Sequence, residues 1–133
     1  MAEPDRGLLD TSVVIDLGRI DSDRLPAESA IAAVTLAELA AGPHATRDED
    51  ERARRQDRLQ WAATTWDPLP FDTDAARMYG RVFAAVRAAD RTARSRLADL
   101  LIASTAASNG LPLYTRNSDD FSGLERLVTV KTI

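Results

Sequence analysis

Four acidic residues stand where a purely structural account is strained: Asp10, Glu38, Asp99 and Asp120. Asp10 closes the apolar run Gly7-Leu8-Leu9. Glu38 lies inside Thr-Leu-Ala-Glu-Leu-Ala-Ala-Gly (35–42). Asp99 is the only charge between Leu97 and Asn109, and Asp120 falls in a polar turn after Leu-Pro-Leu-Tyr (111–114). Carboxylates are costly in apolar segments unless something pairs with them. Several of them meeting at strand ends would bind a hard divalent cation through oxygen, and such a cation can drive hydrolysis.

Each acid also has a plainer reading. Asp10 could cap the helix that follows it, with Thr11 or Ser12 sharing the task. Thr35-x-x-Glu38 matches a capping box, in which the Glu bonds back to the N-cap amide. Asn117, Asp119 and Asp120 are ordinary turn residues. Asp99 is the hardest to explain away. A negative charge suits the first turn of a helix, yet Leu97, Leu100, Leu101, Ile102 and Ala103 make this helix apolar nearly all round. A carboxylate there wants a partner, and a shared cation would serve.

The elements that must position these residues follow from the pattern of apolar residues and breakers. Residues 6–10 read as a short buried strand and 11–18 as the start of a helix. Residues 30–34 suggest a second strand, and 35–41 a short helix stopped by Gly42-Pro43. Residues 47–65 form a long charged helix, and 67–71 a short strand flanked by prolines. Residues 73–89 are an amphipathic helix, with Ala76, Tyr79, Val82, Phe83 and Val86 at helical spacing. Residues 95–109 form an apolar helix ended by Gly110, and 113–115 and 127–130 are the last strands. Strands alternating with helices predict an α/β fold with a mostly parallel sheet, whose sites form at the carboxyl ends of its strands.

Bulk composition narrows the chemistry. The 133 residues favour a single domain over 1–133 with one core. With no cysteine and one histidine, His44, beside Pro43 in a loop, thiolate zinc sites, cysteine nucleophiles and multi-histidine centres are excluded. No apolar run approaches the roughly 20 residues of a membrane span, and the acidic N-terminus carries no signal-peptide core. The expectation is a soluble cytoplasmic protein. The net charge of −4 does not suggest a general nucleic-acid coat. Nearly all positive charge is arginine, however, which suits bidentate phosphate contacts. Arg87, Arg91 and Arg94 recur at helical spacing, Arg96 follows, and Arg116 adjoins the last acidic segment. These five are candidate contacts to nucleic-acid phosphates. A solvated helix face with Asp90 as partner is the competing reading of the run.

Four segments together resemble the successive motifs of the PIN domain, and within it the VapC-type toxins of bacterial toxin–antitoxin pairs. They are Leu-Leu-Asp-Thr-Ser-Val-Val-Ile (8–15), Thr-Leu-Ala-Glu-Leu (35–39), Ala-Asp-Leu-Leu-Ile-Ala (98–103) and Leu-Tyr-Thr-Arg-Asn-Ser-Asp-Asp-Phe (113–121). The resemblance covers essentially the whole chain, in order. It implies a compact α/β/α sandwich and an endoribonuclease that uses Mg2+ or Mn2+. Carried over residue by residue, its acids are Asp10, Glu38, Asp99 and Asp120, with Asp119 a rival for the last place. Thr115 and Asn117 match polar positions that support the site. With no usable histidine, the nucleophile is expected to be metal-activated water. Asp10 and Asp99 are the expected direct ligands. Glu38 would act through water or orient the nucleophile, and Asp120 would help hold a second ion.

The resemblance also implies an antitoxin protein as partner, an RNA substrate and pairing of two copies, for which Tyr79, Phe83 and Val86 offer an apolar face. Two other functions compete. One is a catalytically inactive PIN-like module that binds RNA or protein. The other, more distant, is a phosphoacceptor domain using Asp10 as nucleophile. The second wants a late lysine near the site, and Lys131, the only lysine, lies in the terminal segment.

Overall fold

The computed structural model describes residues 5–89 and 96–133. Its framework is a four-stranded sheet built from β1 (Arg6–Leu9), β2 (Glu28–Ala30), β3 (Leu113–Thr115) and β4 (Val130–Thr132) in the order β2-β1-β3-β4. All three pairings are parallel. Among the described residues five α-helices surround it: α1 (Thr11–Ile15), α2 (Ala33–Ala41), α3 (Glu49–Thr65), α4 (Thr73–Ala88) and α5 (Leu97–Ser108).

The pleat sorts the core into two layers. Successive strand residues face opposite ways, so the paired residues Leu8 and Leu113 point to one side and Leu9 and Tyr114 to the other. Leu8 and Leu113 pack with Val82 and Val86 of α4, Leu100, Ile102, Ala103 and Ala106 of α5, and Phe121 and Leu124. Leu9 and Tyr114 pack with Val13 and Val14 of α1, Ile31, Leu39 of α2 and Ala62 of α3. The result is the α/β/α sandwich expected from the sequence. β1 and β3 are the central strands, buried on both faces, as their unbroken apolar character requires.

Helix starts follow local chemistry. Asp72 caps α4 by accepting from the Ala75 amide at 2.9 Å, and Asp48 caps α3 by accepting from Asp50 at 3.2 Å. Glu49, Asp50 and Glu51 then occupy the first turn of α3, where the helix dipole favours them.

Several boundaries differ from the sequence expectation, and one matters for function. The second strand ends at Ala30, and α2 begins at Ala33 rather than Thr35. Ile31 and Ala32 are occupied by Leu69. The Leu69 amide donates to the Ile31 carbonyl at 2.9 Å, and the Ala33 amide to the Leu69 carbonyl at 2.8 Å. The expected strand over 67–71 shrinks to this one bridge. The N-cap of α2 is therefore Ala32, which has no capping side chain, and Thr35 lies inside the helix. No capping box forms, so Glu38 is released from that role. The first helix stops at Ile15 and is followed by a 3-10 turn over Leu17–Arg19, and the last strand sits three residues later than expected.

Among the described residues no helix is long and apolar enough to cross a membrane. The candidate pairing face divides. Val86 is buried in this chain's own core and Tyr79 packs partly against it. Phe83 stays 39% exposed, with the Arg87 guanidinium 6.0 Å from its ring centre.

Candidate functional site

Because every strand is parallel, all their carboxyl ends lie along one edge of the sheet. Asp10 directly follows β1, and its amide continues the ladder by donating to the Tyr114 carbonyl at 2.8 Å. The side chain is 4% exposed. It does not cap α1, although it occupies the N-cap position. Instead its Oδ2 accepts from the Ser12 hydroxyl at 2.8 Å and from the Thr115 hydroxyl at 2.9 Å. The capping explanation of Asp10 fails on this geometry, because both of its proton donors are side chains.

A web of short polar side chains holds that arrangement. Thr115 ends β3 and is fully buried. Its hydroxyl oxygen also accepts from the Asn117 amide at 3.1 Å, and Ser12 Oγ accepts from the Arg116 amide at 3.1 Å. The loop after β3 is thus tied to the loop after β1. On the other flank the Thr11 hydroxyl donates to Glu38 Oε1 at 2.6 Å and lies 3.1 Å from the hydroxyl of buried Thr35. By sequence alone Thr11 and Ser12 read as caps and Thr35 as half of a capping box. Their signal was the clustering of three hydroxyls around two candidate acids.

Asp99 occupies the first turn of α5 and is half-buried. Its pKa is pushed up from 3.8 to about 7, first by burial and then by the charges of Asp10, Asp120 and Glu38, with Arg96 acting in the opposite sense. The helix dipole should lower this pKa, so burial and the three carboxylates outweigh it. The other three acids therefore all act on Asp99.

Asp120 lies in the 3-10 turn Ser118–Phe121 after β3, with Arg96 Nη1 3.8 Å from its Oδ1. The same Arg96 nitrogen donates to the Asp119 carbonyl at 3.0 Å. Asp119 and Asn117 are exposed on the turn. The Asp120 charge is felt at Asp99, which favours it over Asp119 as the fourth member.

The candidate phosphate-binding arginines scatter. Arg96 is at the site, and Arg116 beside it is engaged with Asp16, Nε to Oδ2 at 3.4 Å. Arg87 stands in the last turn of α4 over Phe83. Arg91 and Arg94 lie outside the described residues. His44 is exposed in the turn after α2.

Sequence and structure comparisons place this arrangement. The family model described as PIN domain matches residues 7–127. Ribonuclease VapC5 of Mycobacterium tuberculosis is 41% identical, the match spanning 98% of this chain and 96% of that protein. The chain is a PIN-domain protein of the VapC ribonuclease family. Ribonuclease VapC8 of the same organism is 38% identical over 75% of this chain and 89% of its own length. The fold superposes with a TM-score of 0.83, at 40% identity and 98% coverage of both chains, on a crystal structure of VapBC-5 from Mycobacterium tuberculosis, a member of the VapBC family of toxin–antitoxin systems.

The VapC-type site can be tested for its fit to a divalent cation. Its donors are carboxylate and hydroxyl oxygens alone, the set hard cations prefer. The raised pKa of Asp99 marks a local excess of negative charge that a cation would relieve. Among the described residues, no three such side chains are already closed to ligating geometry. The donor chemistry fits. The ligating arrangement would require side-chain rotation, which mutually repelling carboxylates resist until a cation is present.

The pKa of Asp99 has a consequence for stability. A carboxyl whose pKa is higher folded than unfolded binds its proton more tightly in the folded chain. Its contribution is fully present below about pH 4 and lost as pH rises through about 7. Asp99→Asn keeps the shape and removes the charge. In chelator at pH 8 the variant should be more stable than wild type, by roughly 1–2 kcal/mol after discounting for solvent screening. The gap should close near pH 4. Added Mn2+ should stabilise wild type more than the variant. Thermal unfolding at both pH values, with and without Mn2+, measures this. A variant less stable at pH 8 with an unchanged metal response would make Asp99 a structural residue.

Proposed function

We propose that this chain is the endoribonuclease toxin of a toxin–antitoxin pair and hydrolyses RNA phosphodiester bonds at the Asp10–Glu38–Asp99–Asp120 cluster. The observation that carries the reading is the buried Asp10 carboxylate, aimed by two hydroxyls, whose charge meets those of Glu38 and Asp120 at half-buried Asp99. Such an arrangement is costly for folding alone and useful for holding a cation against phosphate. Its four acids argue against the inactive PIN-like module. A phosphoacceptor site is disfavoured too, because the nitrogen of Lys131 lies 3.5 Å from the Tyr114 hydroxyl and 5.4 Å from that ring's centre.

Asp10 and Asp99 would hold a divalent cation, Mg2+ or Mn2+. When bound, that ion supplies Lewis acidity, polarising the scissile phosphate and lowering the pKa of coordinated water. The chain's own residues do the rest. Ser12 and Thr115 fix the Asp10 carboxylate, so this one ligand would need no reorientation as charge develops. Glu38, oriented by Thr11, is placed to accept the proton of an attacking water. Asp120 contributes charge for a second cation, and Arg96 and Arg116 offset the acids toward an approaching phosphate.

Cleavage of bacterial RNA by the purified protein should require added Mg2+ or Mn2+ and stop in chelator. Asp10→Asn and Asp99→Asn should each lower it by at least about 100-fold, the scale set by losing electrostatic stabilisation of a transition state. Wild-type rates in either variant, at the same metal concentration, would remove that residue from the site.

Two assembly properties belong to the same reading. VapBC-5 was crystallised as a member of a toxin–antitoxin family, and this chain should likewise co-purify with a partner encoded beside it. The complex should show depressed ribonuclease activity; full activity at saturating partner would count against the pairing.

Exposed Phe83, with Tyr79 6.2 Å away between ring centres, supports a two-fold homodimer through α4. Phe83→Glu should shift a dimer to monomer in light scattering. A wild-type protein monomeric at tens of micromolar, the range of weak association, would overturn it.

A further inference from the structure

We propose that Arg58 binds a non-scissile phosphate of the RNA strand, and that the cavity between α1, α2 and α3 seats the nucleotide carrying it. This rests on the ribonuclease reading above and adds a substrate contact to it.

The first observation is a charge in an unusual place. α3 turns Glu51, Arg55, Arg58 and Ala62 toward the body of the protein at spacings of four, three and four. Such spacing is the inward stripe of an amphipathic helix, where apolar residues belong. Ala62 obeys the rule and is fully buried. Arg58 breaks it and is half-buried.

The second observation is how the nearby cations are committed. Arg55 donates Nε to Glu51 Oε1 at 3.0 Å and Nη1 to the Gly42 carbonyl at 2.9 Å. Glu51 also accepts from Arg54 at 2.7 Å. Arg96 is engaged with Asp120 and the Asp119 carbonyl, and Arg116 with Asp16. Arg58 makes no hydrogen bond or ion pair with any described residue. Its five N–H donors are uncommitted. A partly desolvated guanidinium with free donors suits an oxyanion, and phosphate matches its fork.

The third observation is the space in front of it. A cavity of about 360 Å3 is lined by Thr11 and Glu38, by Arg55 and Arg58, and by Ile15 and Leu39. It falls within the size range of small-ligand sites. Glu38 and its hydrogen-bonded partner Thr11 belong both to this cavity and to the acid cluster, so the two adjoin. Ile15 is 47% exposed and offers an apolar surface to a sugar or base. Any RNA whose scissile phosphate lies at the acids has a neighbouring phosphate along the strand. Glu51 also lines the cavity and is paired with Arg55, so Arg58 is the cation left there to offset Glu38. The same guanidinium could meet a carboxylate of a protein partner. Direct continuity with the acid cluster favours RNA.

The test uses the full chain, a fluorescent mixed-sequence single-stranded RNA for binding in chelator, and total bacterial RNA with Mn2+ for cleavage. Arg58→Gln should weaken binding by about 5–20-fold and reduce the slope of log affinity against log salt by about 0.7, the value for one phosphate contact on a single strand. KM should rise more than kcat falls. Arg77→Gln, a remote exposed arginine paired with Asp74, should leave binding within about twofold, the salt slope aside. Unchanged binding and slope in Arg58→Gln would overturn the inference, and so would a loss confined to kcat. Unchanged RNA binding with weakened capture of the adjacent-gene partner would assign Arg58 to a protein interface instead. Thermal unfolding checks that the variant is folded, and Arg58→Lys, which keeps the charge, should restore part of the affinity. Failure of wild type to cleave any RNA would sink the ribonuclease reading, while the binding series would still decide Arg58.

Discussion

The pairing of β1 with β3 is the constraint on which the rest of the site depends. It joins segments more than a hundred residues apart and sets Leu8 opposite Leu113 and Leu9 opposite Tyr114. That register brings the Asp10 carboxylate to the Thr115 hydroxyl at the strand ends. A slip of one residue would reverse every side chain on one strand. Leu9 would exchange layers with Leu8, and the carboxylate would lose its donors. The core therefore specifies the site, because the burial that fixes the register also fixes where Asp10 points. Gly7 belongs to the same device. A Cβ there would collide with the ring of Tyr114, so the Tyr114 side chain can lie over β1 only where the strand has no side chain of its own.

A parallel sheet gathers strand ends on one edge, which concentrates function and also concentrates charge. Asp10 is the acid with the best local support, since two hydroxyls donate to it. Asp99 is the least supported, and burial together with three carboxylates raises its pKa. The two acids expected to touch a cation directly thus sit at opposite ends of a range. One is held in place by its donors, and the other is poised to change protonation when the local charge changes. Repulsion among the acids is a cost carried by the folded state, and the two hydrophobic layers offset it elsewhere.

Much of this was legible in the sequence, for identifiable reasons. Asp99 could be flagged because its neighbours are apolar on every side of a helix, and no local motif explains a charge there. The alternation of strands and helices points to the parallel sheet, because apolar runs of strand length recur between helical segments, while the α/β/α layering follows from the resemblance to the PIN domain. Glu38 was harder. Thr35-x-x-Glu38 imitates a helix start, and only the Leu69 bridge to the segment before α2, a contact between distant parts of the chain, moves that start to Ala33. The roles of Thr11, Ser12 and Thr35 were hidden for a similar reason. Hydroxyl residues are common at helix starts, and which carboxylate they serve depends on how loops from different strands meet. Arg58 could not be singled out at all. Arginines are frequent on α3, and only the committed donors of its neighbours make this one distinct.

The distribution of these charges has a consequence for how ligands enter. Four carboxylates repel a phosphodiester, so RNA alone meets an unfavourable field at the scissile position. A cation alone relieves the acids but keeps open coordination positions that phosphate oxygens can fill. Each ligand removes an obstacle to the other, and linkage makes the effect reciprocal: if the cation tightens RNA binding, RNA tightens cation binding by the same factor. Arg96 and Arg116 soften this dependence without removing it, because each is shared with an acid of its own, Asp120 and Asp16. Arg58 stands apart from those pairs, beyond Glu38. As the proposed phosphate contact it would hold a strand before the cation is in place, an initial foothold separate from the chemistry assigned to the acids. On the proposed assignment, recognition and hydrolysis would be carried by different charges on different elements, α3 for the first and the ends of β1 and β3 with the start of α5 for the second.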